Sequence, residues 1–98
     1  MKIDLKKDGN KLTIKLDGKL DTNTSPDLDA KIGELEGVEE VIIDMKKLDY
    51  ISSAGLRVLL SMQKVMNKQG KMTITNVCSN VMDIFEVTGF SDILDIEE

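Results

Sequence analysis

The sequence predicts an α/β domain with a mixed sheet: an antiparallel N-terminal hairpin followed by parallel β-α-β units, all covered by helices. Three observations support this fold class. Two runs of alternating apolar residues flank a turn near the N-terminus, a short apolar run lies in mid-chain, and two later segments carry apolar residues at helical spacing. We expect right-handed crossovers between the parallel strands.

The N-terminal hairpin is predicted from alternation and turn chemistry. Apolar and polar residues alternate over Ile3–Leu5 and again over Leu12–Leu16. Asp8-Gly9-Asn10 lies between the two runs and is typical of a hairpin turn. We expect Gly18 to close the second strand.

A first helix is expected after the hairpin. Thr24-Ser25-Pro26 supplies a hydroxyl cap and a proline for the first turn. Gly37 suits the C-terminal stop. The apolar stripe of this helix is formed by Leu28, Ile32 and Leu35.

The centre of the chain predicts a buried strand followed by a long helix. Val41–Met45 is a short apolar run bounded by charged residues, as in a central strand. The helix is expected to begin near Ser53 and to run to about Gln69, and Gly70 ends it.

The C-terminal third predicts one more strand–helix unit. Met72–Thr75 has the character of a strand, and either Ser79 or Asn80 is expected to cap the following helix. Gly89 ends that helix, and Ile93-Leu94 forms either a short last strand or a terminal turn. The apolar residues of the helix are Val81, Ile84, Phe85 and Val87.

Composition limits the function classes. The chain has 98 residues and a formal net charge of −5, so we expect one domain over residues 1–98. The negative charge argues against a nucleic-acid partner and against electrostatic attachment to an acidic membrane. The charged start at Met1–Asp4 and the lack of a membrane-length apolar run indicate a cytoplasmic protein with no membrane partner.

The residue types also argue against an enzyme. The sequence has no histidine, which removes most nucleophilic triads and most zinc sites. Cys78 is the single cysteine, so an intramolecular disulfide is impossible, and we expect a small buried apolar residue there and not a reactive thiol. We therefore expect no catalytic residue, no metal and no cofactor.

The two faces of the long helix differ in kind. On a helical wheel the core face contains Gly55, Val58, Leu59, Met62, Val65 and Met66. The opposite face contains Ser53, Leu56, Arg57, Leu60, Lys64 and Lys68. Leu56 and Leu60 are then either covered by a loop, or scattered exposed apolar residues, or a contact surface for a partner protein.

Ser52 and Ser53 stand where a strand passes into the helix. Serine is a preferred N-cap, and a cap is the simplest interpretation. A nucleophile is disfavoured, because there is no histidine base and the spacing does not fit a G-x-S-x-G elbow. A phosphorylation site is physically sensible, since a helix N-terminus tolerates negative charge.

The segment Asp49–Leu60, preceded by the strand Val41–Asp44, resembles the signature of the STAS domain, as found in small bacterial anti-sigma factor antagonists. Gly18–Asp21 resembles the G-x-L-D motif of the family. Phe85–Phe90 resembles its late F-x-x-x-G-(L/F) motif. The resemblance covers nearly the whole chain in the same order and implies a STAS-like fold.

The resemblance implies a partner-switching function. The unmodified antagonist binds an anti-sigma factor that is also a serine kinase, which releases the sigma factor. Phosphorylation with ATP on the serine that corresponds to Ser53 ends binding, and a PP2C-type phosphatase restores the free form. Ser52 occupies a position where several members have Asp, and Ala54 one where some have a second hydroxyl.

The same resemblance implies the partner-binding surface. Asp21 corresponds to a loop aspartate near the phosphorylated serine, although it also has the features of a cap for the first helix. Asn76 is expected at the same end of the sheet. The expected partner-binding residues are Asp21, Thr22, Asn23, Ser52, Ala54, Gly55, Leu56, Arg57, Leu60, Lys64 and Asn76.

Two other functions remain open at the level of sequence. A stand-alone STAS protein can serve as an interaction subunit of another complex, such as a transporter or a stress-sensing assembly. A small acid/base enzyme would use Asp21 with Ser53 or a lysine, but only the presence of carboxylates supports it.

Overall fold

The computed structural model describes residues 1–97 and contains five strands and three α-helices within them. The strands are β1 (Lys2–Asp8), β2 (Lys11–Leu20), β3 (Glu40–Ile51), β4 (Lys71–Thr75) and β5 (Asp95–Glu97). The α-helices are α1 (Ser25–Asp29), α2 (Ser53–Gln69) and α3 (Ser79–Thr88). Two short 3-10 helices span Ile32–Leu35 and Phe90–Asp92.

The five strands form one mixed sheet in the order β1-β2-β3-β4-β5. β1 and β2 are antiparallel, and every later neighbouring pair is parallel, as the sequence predicted. The strand register aligns apolar side chains across the sheet, so that one face joins the core. One such row runs through Leu5, Ile14, Ile43, Ile74 and Ile96.

The hairpin forms where its turn residues predicted it. Asp8 pairs with Lys11, and Gly9-Asn10 forms the two-residue turn. The expectation that Gly18 closes β2 was wrong, because the strand continues to Leu20. Gly18 instead lies at a shift in the register between β2 and β3.

β3 is much longer than the apolar run Val41–Met45 that predicted it. The pairs Lys15–Asp44 and Asp17–Lys47 enclose one more residue on β3 than on β2. A second extra residue follows before Tyr50. Such bulges break the period-2 alternation, so the second half of β3 buries every third residue and does not look like a strand in the sequence.

The side chain of Asp44 closes the first bulge. Its Oδ1 accepts hydrogen bonds from the backbone N–H of Lys46 and from Nδ2 of Asn76, each at 3.0 Å. The pKa of the Asp44 carboxyl lies below its usual value. Burial alone would raise this pKa, but the two hydrogen bonds and the nearby Lys15 and Lys46 charges outweigh the effect of burial. Asp44 is therefore a structural residue of the sheet.

The segment predicted as one helix from Thr24 to Gly37 is divided. α1 ends at Asp29, and the 3-10 helix Ile32–Leu35 follows. The N–H of Lys31 bonds to the C=O of Leu28, three residues back, so the chain tightens after α1 instead of continuing as an α-helix. Leu28 and Leu35 nevertheless enter the core as expected.

The other two helices agree closely with the sequence. α2 spans Ser53–Gln69 and is followed by Gly70, and α3 is followed by Gly89 with a φ of 81°. Cys78, not Ser79 or Asn80, is the N-cap of α3, and its side chain makes no capping hydrogen bond. No helix within residues 1–97 combines the length and apolar content needed to cross a membrane.

Of the two alternatives left open for the C-terminal apolar pair, the structure confirms the turn, which begins at Ile93. Ile93-Leu94 follows a 3-10 helix and does not form a strand. β5 begins one residue later, at Asp95, and pairs with β4. Leu94 is buried in the core, whereas Ile93 is 48% exposed.

Gly55 allows the first turn of α2 to approach the ends of β2 and β3. A Cβ atom at this position would lie 2.8 Å from Leu20 Cγ, 2.9 Å from the Leu20 carbonyl oxygen and 2.9 Å from Ile51 Cγ1. Real Cβ atoms do not approach backbone oxygen so closely. Glycine is therefore required here by packing.

We expect Gly55→Ala to lower the free energy of unfolding by about 1–3 kcal/mol, because the added methyl group overpacks the helix–sheet contact. Urea denaturation measures this change. Gly33→Ala is the matched control, since a Cβ there would meet nothing within 4 Å. Equal stability of the two variants would contradict the packing role of Gly55.

Candidate functional site

Ser52 fixes the start of α2 against the sheet. Its backbone N–H donates to the Leu20 carbonyl at 2.9 Å, which joins the helix start to the end of β2. Its Oγ accepts from the N–H of Gly55 at 3.4 Å, and its conformation is extended. Ser52 is therefore the N-cap of α2 and is partly buried.

Ser53 is the first residue of α2 and is exposed. The backbone of Ser52 and of Gly55 contacts the ends of β2 and β3, and the Ser53 side chain is left on the solvent side. The N–H groups of a first helical turn and the helix dipole create a positive potential at this position. A hydroxyl here is both accessible and close to a favourable site for negative charge.

An outward row extends from Ser53 along α2. Arg57, Leu60 and Lys64 follow at helical spacing, and we call these four residues the outward row. Arg57 and Lys64 are exposed, and Leu60 is half-buried. The sequence therefore predicted this face correctly at these four positions.

Leu56 was wrongly predicted to lie on the outward face. It is 5% exposed and belongs to the hydrophobic core. The buried arc of α2 extends from Val58 to Leu56, about 160° at 100° per residue, and is wider than a minimal apolar stripe. Gln63 lies on the same boundary and is also buried, so this edge of the helix is covered by protein.

Gly55 is also unsuited to the direct partner contact expected for it. It is buried beneath the first turn of α2, against Leu20 and Ile51. Ala54 is half-buried and lies at the edge of the groove described next. Of the Ser52–Leu56 segment, Ser53 alone is exposed.

A groove of about 270 Å³ separates α1 from α2. It is mainly hydroxyl-bearing and apolar, and Asp29 and Arg57 supply its charges. The sequence did not indicate Ser25, Pro26, Asp29 or Ser61, because only the packing of α1 on α2 brings them there. The groove is lined by Thr22, Ser25, Pro26, Asp29, Ala54, Arg57, Val58 and Ser61.

Asp21 stabilises the loop that follows β2. Its Oδ1 accepts from the backbone N–H groups of Asn23 at 2.9 Å and Thr24 at 3.0 Å. Its own N–H donates to Thr24 Oγ1 at 2.9 Å. The hydrogen bond from the Thr24 N–H is the main reason that the pKa of the Asp21 carboxyl lies below its usual value.

These contacts hold the loop together and do not cap α1, because the N-cap of α1 is Thr24, whose side chain makes no capping hydrogen bond. Asp21 directly follows Leu20, whose carbonyl binds Ser52, so it does lie near the start of α2. Its Oδ1, however, is bonded within the loop. Thr22 and Asn23 next to it are exposed.

Asn76 does not lie near Ser53. It follows β4, which pairs with β3 only as far as Asp44. β3 continues for seven residues beyond Asp44 to Ile51, which corresponds to roughly 20 Å. Asn76 instead contacts Asp44 and lines a separate polar cleft of about 360 Å³.

Within residues 1–97, no group of three or more acidic, cysteine or histidine side chains has an arrangement that could hold a metal ion.

Comparisons with known proteins identify a family and a fold. The sequence profile described as STAS domain matches residues 2–98. The anti-sigma-B factor antagonist of Bacillus subtilis is 30% identical over 96 residues, covering 96% of this chain and 88% of the relative. BtrV of Bordetella bronchiseptica, named as a candidate anti-sigma factor antagonist, is 32% identical over 99 residues, covering 98% and 85% respectively.

The fold is also that of a solved structure, the anti-sigma factor antagonist SpoIIAA. Its unphosphorylated form superimposes with a TM-score of 0.77 at 18% identity, covering 99% of this chain and 88% of SpoIIAA. The phosphorylated form of this Bacillus protein gives 0.76 at 19% identity, covering 99% and 92%. At this identity the likeness establishes the fold.

The lowered pKa of Asp21 predicts a pH dependence of stability. A carboxyl group with a lowered folded-state pKa stabilises the fold at pH values above its unfolded pKa, about 3.9. This contribution is lost as the pH falls through the folded-state pKa. We expect Asp21→Ala to remove this part of the pH dependence, measured by urea denaturation between pH 2 and 7.

Asp21→Asn is the control for that measurement. Its amide oxygen can still accept the N–H groups of Asn23 and Thr24, but it does not titrate. It should retain more stability than Asp21→Ala at pH 7 and should likewise lack the Asp21 component of the acid-dependent loss. An Asp21→Ala variant with the wild-type pH profile would contradict the assignment.

Proposed function

Because this chain belongs to the STAS family, we propose that it is an anti-sigma factor antagonist whose binding is switched off by phosphorylation of Ser53. In this proposal residues 1–98 form one STAS domain. The unmodified form binds an anti-sigma factor with serine kinase activity and thereby releases a sigma factor. A PP2C-type phosphatase removes the phosphate, and the system operates in the cytoplasm without nucleic acid or membrane contact by this chain.

One observation carries the proposal. Ser53 is exposed at the first position of a 17-residue helix, while Ser52 provides the cap. The capping role and the modifiable hydroxyl are therefore on different residues. Phosphorylation of Ser53 does not require the hydrogen bond that begins α2 to break.

The chemistry requires no catalytic group from this chain. The Ser53 Oγ attacks the γ-phosphorus of ATP bound to the kinase, and the bond from that phosphorus to the β,γ-bridging oxygen breaks. ADP leaves, and the hydroxyl proton passes to a base of the kinase or to solvent. The proposal therefore treats this chain as a substrate and binding module, not as an enzyme.

The product is compatible with the fold. Phosphoserine brings a charge of about −1.5 to −2, which the N-terminus of α2 favours. The partner interface, in contrast, would have to accommodate a hydrated dianion beside Leu60. A loss of about 3–4 kcal/mol of binding free energy would weaken the complex roughly 100- to 1000-fold.

The outward row is the proposed centre of the partner surface. Arg57 and Lys64 supply positive charge, and Leu60 supplies apolar area between them. The exposed residues Thr22 and Asn23 extend the surface across the start of α2. The proposed surface leaves out Gly55 and Leu56, because both are buried. It also leaves out Asn76, because that residue contacts Asp44 and lies away from the start of α2.

We expect the cognate anti-sigma kinase to phosphorylate the wild-type chain with ATP and to leave Ser53→Ala unmodified. Mass spectrometry of the intact protein measures the addition of phosphate. Ser52→Ala is the matched control, which should be phosphorylated although its lost cap lowers stability by about 0.5–2 kcal/mol. Modification of Ser53→Ala to the wild-type extent would show that the site is wrong.

We expect Leu60→Glu to weaken the complex with the anti-sigma factor at least 10-fold while changing the melting temperature little, because Leu60 is half-buried on the outward row. Calorimetric titration measures the affinity. Leu56→Ala tests the opposite case: it should destabilise the fold by about 2–5 kcal/mol, because the residue is in the core. Wild-type affinity of Leu60→Glu would exclude this helix face from the interface.

A further inference from the structure

We propose that Arg57 is the counter-ion of the phosphate on Ser53, so that the modified serine and this guanidinium form an ion pair within α2. The inference rests on the proposed function, because it takes Ser53 as the modified residue. It gives the outward row a second role, in which Arg57 binds the phosphate on Ser53.

Helical spacing brings the two side chains together. Ser53 and Arg57 are four residues apart on α2, and both are exposed. Side chains at this spacing are neighbours on a helix surface, with Cβ atoms about 5–6 Å apart. The acidic group also lies N-terminal to the basic one, which is the favourable order for such a pair.

The guanidinium group suits a phosphate ester. It presents parallel N–H donors that match two phosphate oxygens, and it keeps its positive charge at every relevant pH. The Arg57 side chain is long and exposed, so it can move toward Ser53 without disturbing the core. No change in the backbone of α2 is required.

The other charged groups around the start of α2 are mostly acidic. Asp21 lies in the loop after β2, Asp29 lies on α1 across the groove, and Asp49 lies on β3. Lys19 on β2 pairs in register with Tyr50, so a basic residue also lies near this end of the sheet. Lys64 is 11 residues from Ser53, about 16 Å along the helix.

The pair would change the surface at two positions at once. In the unmodified chain Arg57 lines the groove between α1 and α2, together with Asp29. A phosphate on Ser53 would attract the guanidinium toward the helix start and away from Asp29. Phosphorylation would then add negative charge at Ser53 and also withdraw a positive group from a partner.

The test measures the second ionisation of the phosphate directly. Phosphoserine is inserted at position 53 during translation, so that no kinase is needed, and the phosphorus NMR shift is followed from pH 4 to 9. A nearby cation favours the dianion and lowers this pKa, which is ordinarily about 6. We expect Arg57→Gln to raise the value by about 0.15–0.7 pH units, which corresponds to the range for an exposed ion pair.

Three further variants make the result specific. Arg57→Lys should raise the pKa less than Arg57→Gln, because it retains the charge but not the fork of donors. Lys64→Gln removes the same charge from the same helix face at a greater distance and should change the value by less than 0.1 unit. Lys19→Gln tests the alternative basic residue and should also have a smaller effect than Arg57→Gln.

Two outcomes would overturn the inference. One is an unchanged phosphate pKa in Arg57→Gln, with circular dichroism confirming that the variant is folded. The other is an equal shift in Lys64→Gln, which would indicate a general field and not a pair. Failure of an anti-sigma kinase to modify Ser53 would instead count against the proposed function, and this measurement would be unaffected.

Discussion

The arrangement of the candidate site depends on the close approach between the first turn of α2 and the ends of β2 and β3. The N–H of Ser52 binds the Leu20 carbonyl at 2.9 Å, and Gly55 provides the space that this contact requires. Leu20 and Ile51 are buried against it. Together these contacts fix where α2 begins and how it is rotated, and the rotation leaves Ser53 on the outer side.

The length of β3 determines which residues can join Ser53. Its two bulges let β3 continue past β4, paired on one side with the last residues of β2. The start of α2 therefore lies at the tip of a two-stranded extension, beyond the end of β4. This separation brings the loop at Asp21–Thr24 and helix α1 next to Ser53 and leaves Asn76 far from it.

The sequence predicted most of the fold because its local signals agree with one another. The turn at Gly9-Asn10, the apolar alternation of β2 and the glycine after α2 each have a local physical cause. The second half of β3 could not be predicted, since its bulges bury every third residue and hide the strand periodicity. The sequence also placed Leu56 on the wrong face of α2. A helical wheel gives the angle of each side chain around the helix axis, but how wide an arc is buried depends on the neighbouring elements, which the wheel does not include.

The residues that hold the fold and the residues proposed to act in switching are close in sequence but separate in role. Ser52 caps the helix, and Gly55 and Leu56 are buried, whereas Ser53, Arg57 and Leu60 lie on the outer side. A charge on Ser53 therefore enters solvent and the favourable field of a helix start, and it displaces no packed side chain. Because the helix is anchored from beneath, a local change of charge can alter binding while the folded structure, and hence the return to the unmodified state, is preserved.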